Sequence, residues 1–196
     1  MTGLVYAFTG EGKGKTSAAL GVATRAALIG EKVIWISFYK GKDWDLAEKH
    51  LPAKLPNLEM HFVGRGFMIA ESKEQKTKSG VGYAKIAGER VVVDKASDDE
   101  HKMAAEAGLT LARENLVKKP FLLVLDEVLN AVAERLLRSE GVVELLSNRG
   151  ETHIVLTGRG GEPTRRVLER ADLVTECKKV KHPYDKGQLA VRGLDY

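Results

Sequence analysis

Residues 9–16 read Thr9-Gly10-Glu11-Gly12-Lys13-Gly14-Lys15-Thr16, and they lie between a short apolar run and a long helical pattern. The last three match the end of the phosphate-binding loop pattern G-x-x-x-x-G-K-[ST], with Thr9 at the place of the first glycine. Successive backbone N–H groups of such a loop point into one concavity, and the following helix adds the positive end of its dipole. The stretch therefore predicts a phosphate site, with Lys15 as a point charge and Thr16 within reach of Mg²⁺. The alternative is a glycine-rich turn that happens to carry lysines.

The pattern around this loop is an alternation of short apolar strands and longer helical segments. Such an alternation predicts an α/β fold with a mainly parallel sheet and helices on both faces. The predicted strands are Leu4–Phe8, Lys32–Phe38, Leu58–Val63, Phe121–Leu125, Thr152–Leu156 and Asp172–Cys177. The predicted helices are Thr16–Ile29, Met103–Val117, Val128–Leu137, Val142–Leu146 and one that starts at Pro163.

The composition is that of one globular domain covering residues 1–196. The chain has 31 Lys and Arg against 27 Asp and Glu, so its net charge is only +4, and 43% of its residues are hydrophobic. The single cysteine excludes an internal disulfide, and the sequence lacks an apolar run long enough for a membrane helix. These features predict a cytoplasmic protein without a membrane or nucleic-acid partner.

One stretch, about residues 71–102, departs from the alternation because it is densely charged and punctuated by glycines. A solvated insertion or charged hairpin is one interpretation. A mobile lid over a site is the other, because long loops in compact domains are often functional. The sequence leaves both open.

Two further segments carry candidate binding groups at strand ends. Asp126 and Glu127 follow a buried strand, where ligands of open α/β sheets bind, and they are candidates for holding Mg²⁺ if this strand is a neighbour of the phosphate-loop strand. Thr157-Gly158-Arg159-Gly160-Gly161 is a second glycine turn before a helix, with an arginine suited to phosphate. The alternatives are two acids at a helix start and a tight turn with a surface arginine.

Side-chain character predicts where several other residues lie. Trp35 and Phe38 are expected in the core, and Cys177 is expected to be a small core residue on an apolar strand. Residues 180–188 are polar and turn-rich, whereas residues 189–196 are predicted to form a last edge strand.

In this order, the loop 9–16, the Asp126-Glu127 strand end, the Thr157-Gly158-Arg159-Gly160 turn and the tail with Val180-Lys181-His182 and Gly193-Leu194-Asp195-Tyr196 resemble the ATP:corrinoid adenosyltransferases. The resemblance covers roughly residues 4–67 and 103–196. It implies a RecA-like, three-layer P-loop fold, a homodimer, and a flavin-type reductase that supplies Co(I). The implied reaction attaches the 5′-deoxyadenosyl group of ATP to Co(I) of a corrinoid and releases triphosphate, with Mg²⁺ as cofactor.

The resemblance also implies roles for individual residues. Lys15 and Glu127 would act in catalysis, and Thr16, Asp126 and Glu127 would hold Mg²⁺. Phe67 would pack against the corrinoid, although Met68-Ile69 follow it where the family commonly has Thr-Trp. The residues that would bind ATP or corrinoid are Thr9, Gly10, Glu11, Gly12, Lys13, Gly14, Lys15, Thr16, Ser17, Arg25, Arg159 and Phe67.

Two other functions use the same motifs. A P-loop ATPase or kinase would transfer the terminal phosphate, and it is distinguished by release of orthophosphate or ADP. A RecA-like DNA-binding module would use the excess of lysines, and its affinity for DNA would fall steeply with salt.

Overall fold

A computed structural model of the protein describes residues 2–42, 44–65, 96–188 and 190–195, and the backbone of strands at 82–86 and 89–93. The strands are β1 (Val5–Thr9), β2 (Val33–Ser37), β3 (Leu58–Phe62), β4 (Gly82–Ile86), β5 (Glu89–Val93), β6 (Leu122–Asp126), β7 (His153–Thr157) and β8 (Leu173–Glu176). The α-helices are α1 (Lys15–Leu28), α2 (Asp98–Val117), α3 (Val128–Ala133), α4 (Ser139–Ser147) and α5 (Arg165–Leu168). Short 3-10 turns cover Ala47–His50, Glu162–Thr164 and Pro183–Lys186.

Within the described ranges, six strands form one parallel sheet in the order β3-β2-β6-β7-β1-β8. The strands β4 and β5 pair with each other in antiparallel fashion, as in the charged hairpin that the sequence allows. Phe67 and the first part of the charged insertion, residues 71–81, lie outside the described residues.

Helices cover both faces of the sheet, which confirms the predicted three-layer α/β arrangement. On one face, α1 packs through a stripe of alanines that includes Ala19, Ala23 and Ala27, next to the buried Trp35. The small side chains let the helix lie close to the strands. On the other face, α2, α3, α4 and α5 contribute to a second apolar core, in which Phe38 is buried. The strands β2 and β6 are buried along their whole length because they lie between these layers.

The strand order determines how the predicted site is assembled. The strand β7 lies between β1, which leads into the phosphate loop, and β6, which ends at Asp126, so these two are not neighbours. All carboxyl ends nevertheless meet at one edge because the strands are parallel. The register aligns Ser37 with Asp126 and Phe8 with Thr157, which brings the ends of β2, β6, β7 and β1 together.

Three predicted helix boundaries are wrong for local reasons. The helix α2 begins at Asp98 rather than Met103, because Ser97 and Glu100 form a capping box. The helix α3 ends at Ala133 rather than Leu137, since Arg135 adopts a left-handed conformation with φ 61°. The segment at Pro163 begins as a 3-10 turn, and α5 starts only at Arg165.

The predicted last edge strand is also wrong, since residues 190–195 form turns instead. The Asp195 carboxylate accepts a hydrogen bond from the Val191 backbone N–H at 2.8 Å, and the Leu194 N–H donates to the Val191 carbonyl at 3.1 Å. These local bonds satisfy the backbone without a neighbouring strand. None of the helices in the described part of the chain combines the length and apolar character of a membrane span.

Candidate active site

The phosphate loop is built on two glycines in left-handed backbone conformations. Gly10 has φ 99° and Gly14 has φ 110°, and Gly14 is the residue from which α1 begins. Side chains with a Cβ atom rarely adopt these angles. The first N–H groups of α1 have no intrahelical acceptor, so they face the loop together with the positive end of the helix dipole. This is the arrangement that binds phosphate groups.

Backbone hydrogen bonds tie the loop to the strands on either side of β1. The Gly10 N–H donates to the Arg159 carbonyl at 3.2 Å, just after β7. The Gly12 N–H donates to the Cys177 carbonyl at 2.6 Å, just after β8. A Cβ atom at Gly12 would lie 2.7 Å from that same carbonyl oxygen, so the close approach requires glycine.

This arrangement corrects the prediction for Cys177. The residue lies beyond the end of β8, it is only half-buried, and the side chains of β8 are exposed. An edge strand presents one flank to solvent, which apolar content alone does not reveal. Cys177 therefore supports the phosphate loop through its main chain rather than filling the core.

Gly12→Ala is expected to lower the free energy of unfolding by about 1–3 kcal/mol, because the new methyl group overpacks against the Cys177 carbonyl. It should also weaken ATP binding by displacing the loop. Gly21→Ala in α1 is the matched control, since nothing lies within 4 Å of a Cβ there and the change should stabilise the helix by about 0.5–1 kcal/mol. Urea unfolding and ATP titration measure both effects. A Gly12→Ala variant as stable as the wild type would contradict the close contact.

Lys15 is held by the loop itself. Its ammonium group donates to the carbonyl oxygens of Gly10 at 2.6 Å and Gly12 at 2.7 Å. Burial, assisted by the Arg159 charge, lowers the pKa of Lys15 below its ordinary value, although nearby Cys177, Glu11 and Glu127 oppose this shift. A bound anion would offset the free-energy cost of burying the Lys15 charge, so Lys15 is well placed to contact a phosphate group.

Asp126 is fully buried at the end of β6, and both of its carboxylate oxygens are engaged. The hydroxyls of Thr16 and Thr157 donate to Oδ1 at 3.0 and 2.8 Å. The Ser37 hydroxyl donates to Oδ2 at 3.1 Å, and the Lys40 ammonium lies 3.1 Å from the same oxygen. Through Thr16, Asp126 is linked directly to the head of α1 even though β7 separates the two strands.

Glu127 differs from Asp126 because its carboxylate lacks a full set of partners. Its backbone is left-handed with φ 65°, and its N–H donates to the Thr157 hydroxyl at 2.7 Å. Among the described residues, no group hydrogen-bonds to its buried Oε2 atom. Burial, followed by the neighbouring Asp126 charge, raises the pKa of Glu127 to about 8. A strained, partly desolvated carboxyl at a strand end is typical of a functional group.

The residues present fit a magnesium ion. Mg²⁺ in nucleotide sites takes one or two carboxylates together with phosphate oxygens. The orphaned Oε2 of Glu127 needs a cation or a donor, and the Thr16 hydroxyl belongs to the same hydrogen-bonded group through Asp126.

The second glycine turn lies directly beside the phosphate loop. The Thr9 hydroxyl donates to the Arg159 carbonyl at 2.9 Å, and the Arg159 N–H donates to Asn130 Oδ1 at 2.7 Å. The Arg159 guanidinium lies 3.8 Å from the Glu11 carboxylate, with both side chains exposed. The carboxyl-terminal turns reach the same place, because Asp195 pairs with Lys13. The structure thus brings the two predicted anion loops together.

Other predicted residues are not brought to this cluster. Arg25 is exposed in the last turn of α1, ten residues after Lys15 and hence about 15 Å away along the helix axis. Ser17 is exposed in the first turn of α1, and Phe67 lies outside the described residues. Their roles stay predictions.

Sequence reasoning missed three polar residues that complete the site, Ser37, Lys40 and Glu48. Lys40 could have been noticed in the sequence, because it closely follows a predicted strand that ends at the ligand-binding edge of the sheet. Its segment was interpreted only as a turn. Glu48 lies in the 3-10 turn Ala47–His50, far along the chain from the phosphate loop. The strand order brings Ser37 and Lys40 beside Asp126, and Glu48 joins them through Lys40.

A parallel sheet with this strand order, and a phosphate loop at the head of its first helix, define the chain as a RecA-like P-loop protein. Within this broad class, the chain can be assigned to one family. The chain belongs to the ATP:corrinoid adenosyltransferase family BtuR/CobO/CobP, whose family model matches residues 1–196.

Curated relatives agree with this assignment. The corrinoid adenosyltransferase of Escherichia coli (strain K12) is 32% identical over 195 residues, which cover 99% of this chain and 86% of that protein. Corrinoid adenosyltransferase CobA of Salmonella typhimurium is 31% identical, with 99% of this chain and 86% of that protein covered. The corrinoid adenosyltransferase of Pseudomonas aeruginosa is 28% identical, with coverages of 99% and 84%.

Proposed function

We propose that this chain transfers the 5′-deoxyadenosyl group of ATP to the Co(I) centre of a corrinoid in cobalamin metabolism, and that triphosphate departs from the phosphate loop. The observation that carries the proposal is the complete loop, with Lys15 and Thr16 beside Asp126 and Glu127, in a chain that matches this family over its full length.

The reaction divides the chemistry between the corrinoid and the protein. Co(I) attacks C5′ of ATP with its electron pair, so a Co–C bond forms and cobalt becomes formally Co(III). The C5′–O bond breaks, and its electron pair stays on the triphosphate. Because the metal centre is the nucleophile, no side-chain base is needed. The protein must align C5′ with cobalt and stabilise the charge that gathers on the leaving group.

The phosphate loop is suited to that second task. The N–H groups at the head of α1, the Lys15 ammonium and the exposed Lys13 ammonium provide positive charge around one concavity. Glu127 and Thr16 would hold Mg²⁺, which neutralises part of the triphosphate charge when bound. Asp126 keeps the Thr16 hydroxyl oriented through their 3.0 Å hydrogen bond. Arg159 adds a guanidinium at the side of the loop.

The proposed function extends to the orientation of ATP, the contacts of two further residues, the source of Co(I) and the state of the enzyme in the cell. ATP is held with its ribose toward the corrinoid and its triphosphate in the loop, so carbon rather than phosphorus is exposed to attack. Phe67 packs against the corrinoid, and Arg25 contacts the nucleotide. A flavin-type reductase supplies Co(I), and the enzyme acts in the cytoplasm as a homodimer.

Adenosyl transfer can be measured by incubating the protein with ATP, Mg²⁺ and chemically reduced cobalamin. We expect a light-sensitive alkylcorrinoid product together with one equivalent of intact triphosphate. Orthophosphate or ADP as the stoichiometric product would instead favour a phosphohydrolase or kinase. Corrinoid that stays unalkylated while ATP binds normally would refute the proposal.

A further inference from the structure

Lys40 is a nearly buried cation that lies between two carboxylates at the active-site edge. Its ammonium group is 2.9 Å from Glu48 Oε1 and 3.1 Å from Asp126 Oδ2. The side chains of Lys40, Glu48 and Asp126 are 11%, 7% and 0% exposed. Burial lowers the pKa of Lys40, but the Asp126 and Glu48 charges outweigh this effect and hold it above its ordinary value. Lys40 is therefore a permanent positive charge in the site.

The position of Lys40 completes the bonding of Asp126. A carboxylate offers about four lone-pair sites, and Asp126 uses them for Thr16, Thr157, Ser37 and Lys40. The Ser37 hydroxyl is fixed in turn by the Trp35 indole N–H at 2.8 Å. Asp126 thus has little capacity left for direct contact with a metal ion, whereas Oε2 of Glu127 has no hydrogen-bond partner in the described part of the chain.

The acidic side chains around Lys40 indicate what its ammonium group prevents. Without its ammonium group, Asp126, Glu127 and Glu48 would be three acidic side chains near one another, and the buried Asp126 and Glu48 would lose their shared counter-ion. Divalent cations bind such carboxylate groups readily. With Lys40 in place, the gap between Asp126 and Glu48 is already filled by a cation.

We propose that Lys40 is a positioning residue that acts as a built-in cation of the active site. It keeps Asp126 bonded to Thr16 and Thr157, and it prevents a divalent cation from binding between Asp126 and Glu48 before the nucleotide arrives. Glu127 would then hold the metal together with the triphosphate. This role rests on the proposed function only for the identity of the nucleotide.

Binding of Mn²⁺ without ATP or corrinoid tests the role independently of adenosyl transfer. In titrations that follow the electron paramagnetic resonance signal of free Mn²⁺, Lys40→Met should bind the ion at least fivefold more tightly than the wild type. Lys40→Arg retains the charge and should stay within twofold of the wild type. Lys32→Met is the matched control, because Lys32 is an exposed lysine just before the amino end of β2. Its Mn²⁺ affinity should also stay within twofold of the wild type.

A double variant separates the charge effect from a loss of packing. Lys40→Met/Asp126→Asn removes both partners, so its Mn²⁺ affinity should return to within twofold of the wild type. Asp126→Asn alone leaves Lys40 in place and should not increase the affinity. Circular dichroism establishes that each variant is folded.

An unchanged or weaker Mn²⁺ affinity in folded Lys40→Met would overturn the inference, as would equally tight binding by the double variant. If adenosyl transfer by the wild type fails while these Mn²⁺ affinities follow the expected order, the proposed function is wrong and the role of Lys40 stands.

Discussion

Lys15→Ala is expected to slow adenosyl transfer by about 30- to 1,000-fold, which corresponds to about 2–4 kcal/mol in the barrier. The ammonium group is held within the loop by the Gly10 and Gly12 carbonyls, where the proposed reaction would place the charge of the leaving triphosphate. Single-turnover measurements with reduced cobalamin and saturating Mg·ATP report this step directly. The effect should appear in kcat, because the charge on the leaving group grows in the transition state.

A matched control keeps the Lys15 result specific. Lys32→Ala removes an exposed lysine before the amino end of β2, away from the phosphate loop, and should leave the rate unchanged. Lys13→Ala removes a more exposed loop cation that pairs with Asp195, so a smaller loss than for Lys15 is expected. Wild-type turnover by folded Lys15→Ala would refute the role assigned to this residue.

Glu127→Gln is expected to reduce adenosyl transfer by about 100-fold, on the scale of one lost electrostatic contribution in an active site. The same substitution should make the ligand-free protein more stable at neutral pH. The amide could not supply the negative charge that Glu127 would offer to the proposed Mg²⁺. It also removes a carboxyl that folding places in an unfavourable environment, since the buried Oε2 atom has no hydrogen-bond partner within the described ranges.

The pH dependence follows from the raised pKa of Glu127. This group titrates near its ordinary acidic value in the unfolded chain and at about 8 in the folded one. Between these values the folded state binds more protons than the unfolded state, so the group's contribution to stability falls as pH rises. The gain in Glu127→Gln should therefore be small at pH 4.5 and reach on the order of 4 kcal/mol at pH 7.5.

Urea unfolding of the ligand-free protein at several pH values measures this gain. Glu114→Gln on the exposed face of α2 is the control, and its stability should not vary with pH relative to the wild type. A Glu127→Gln variant that is less stable than the wild type at pH 7.5 would contradict the environment described for this carboxyl.

The sequence predicted the fold well where local patterns coincide with burial. The strand β6 could be recognised because a central strand between two helical layers is buried on both faces, and its first four residues, Leu122 to Leu125, are all apolar. Helix ends were harder to predict. The capping box of Ser97 and Glu100 places the start of α2 earlier than its apolar pattern does, and the left-handed Arg135 shortens α3.

The site residues likewise include some that a local motif predicts and others that only the fold brings together. Lys15, Thr16, Asp126 and Glu127 were recognisable because their neighbours along the chain form a motif. Lys40 and Glu48 belong to no local motif. The contact of Lys40 with Asp126 depends on the order of β2 and β6 in the sheet, and Glu48 joins them through its ion pair with Lys40. The carboxyl-terminal turns likewise meet the phosphate loop through a contact between Lys13 and Asp195, which are far apart in the chain.

The α/β alternation, the phosphate loop and the family motifs could be recognised from the sequence, because each of these patterns consists of residues that are close along the chain. The fold was needed to establish that β7 separates the loop strand from the acidic strand and that four groups saturate Asp126. It also shows that Oε2 of Glu127 has no hydrogen-bond partner among the residues that the structure describes. Burial and the choice of hydrogen-bond partners depend on which strands lie side by side, and the packing of the whole chain sets that order.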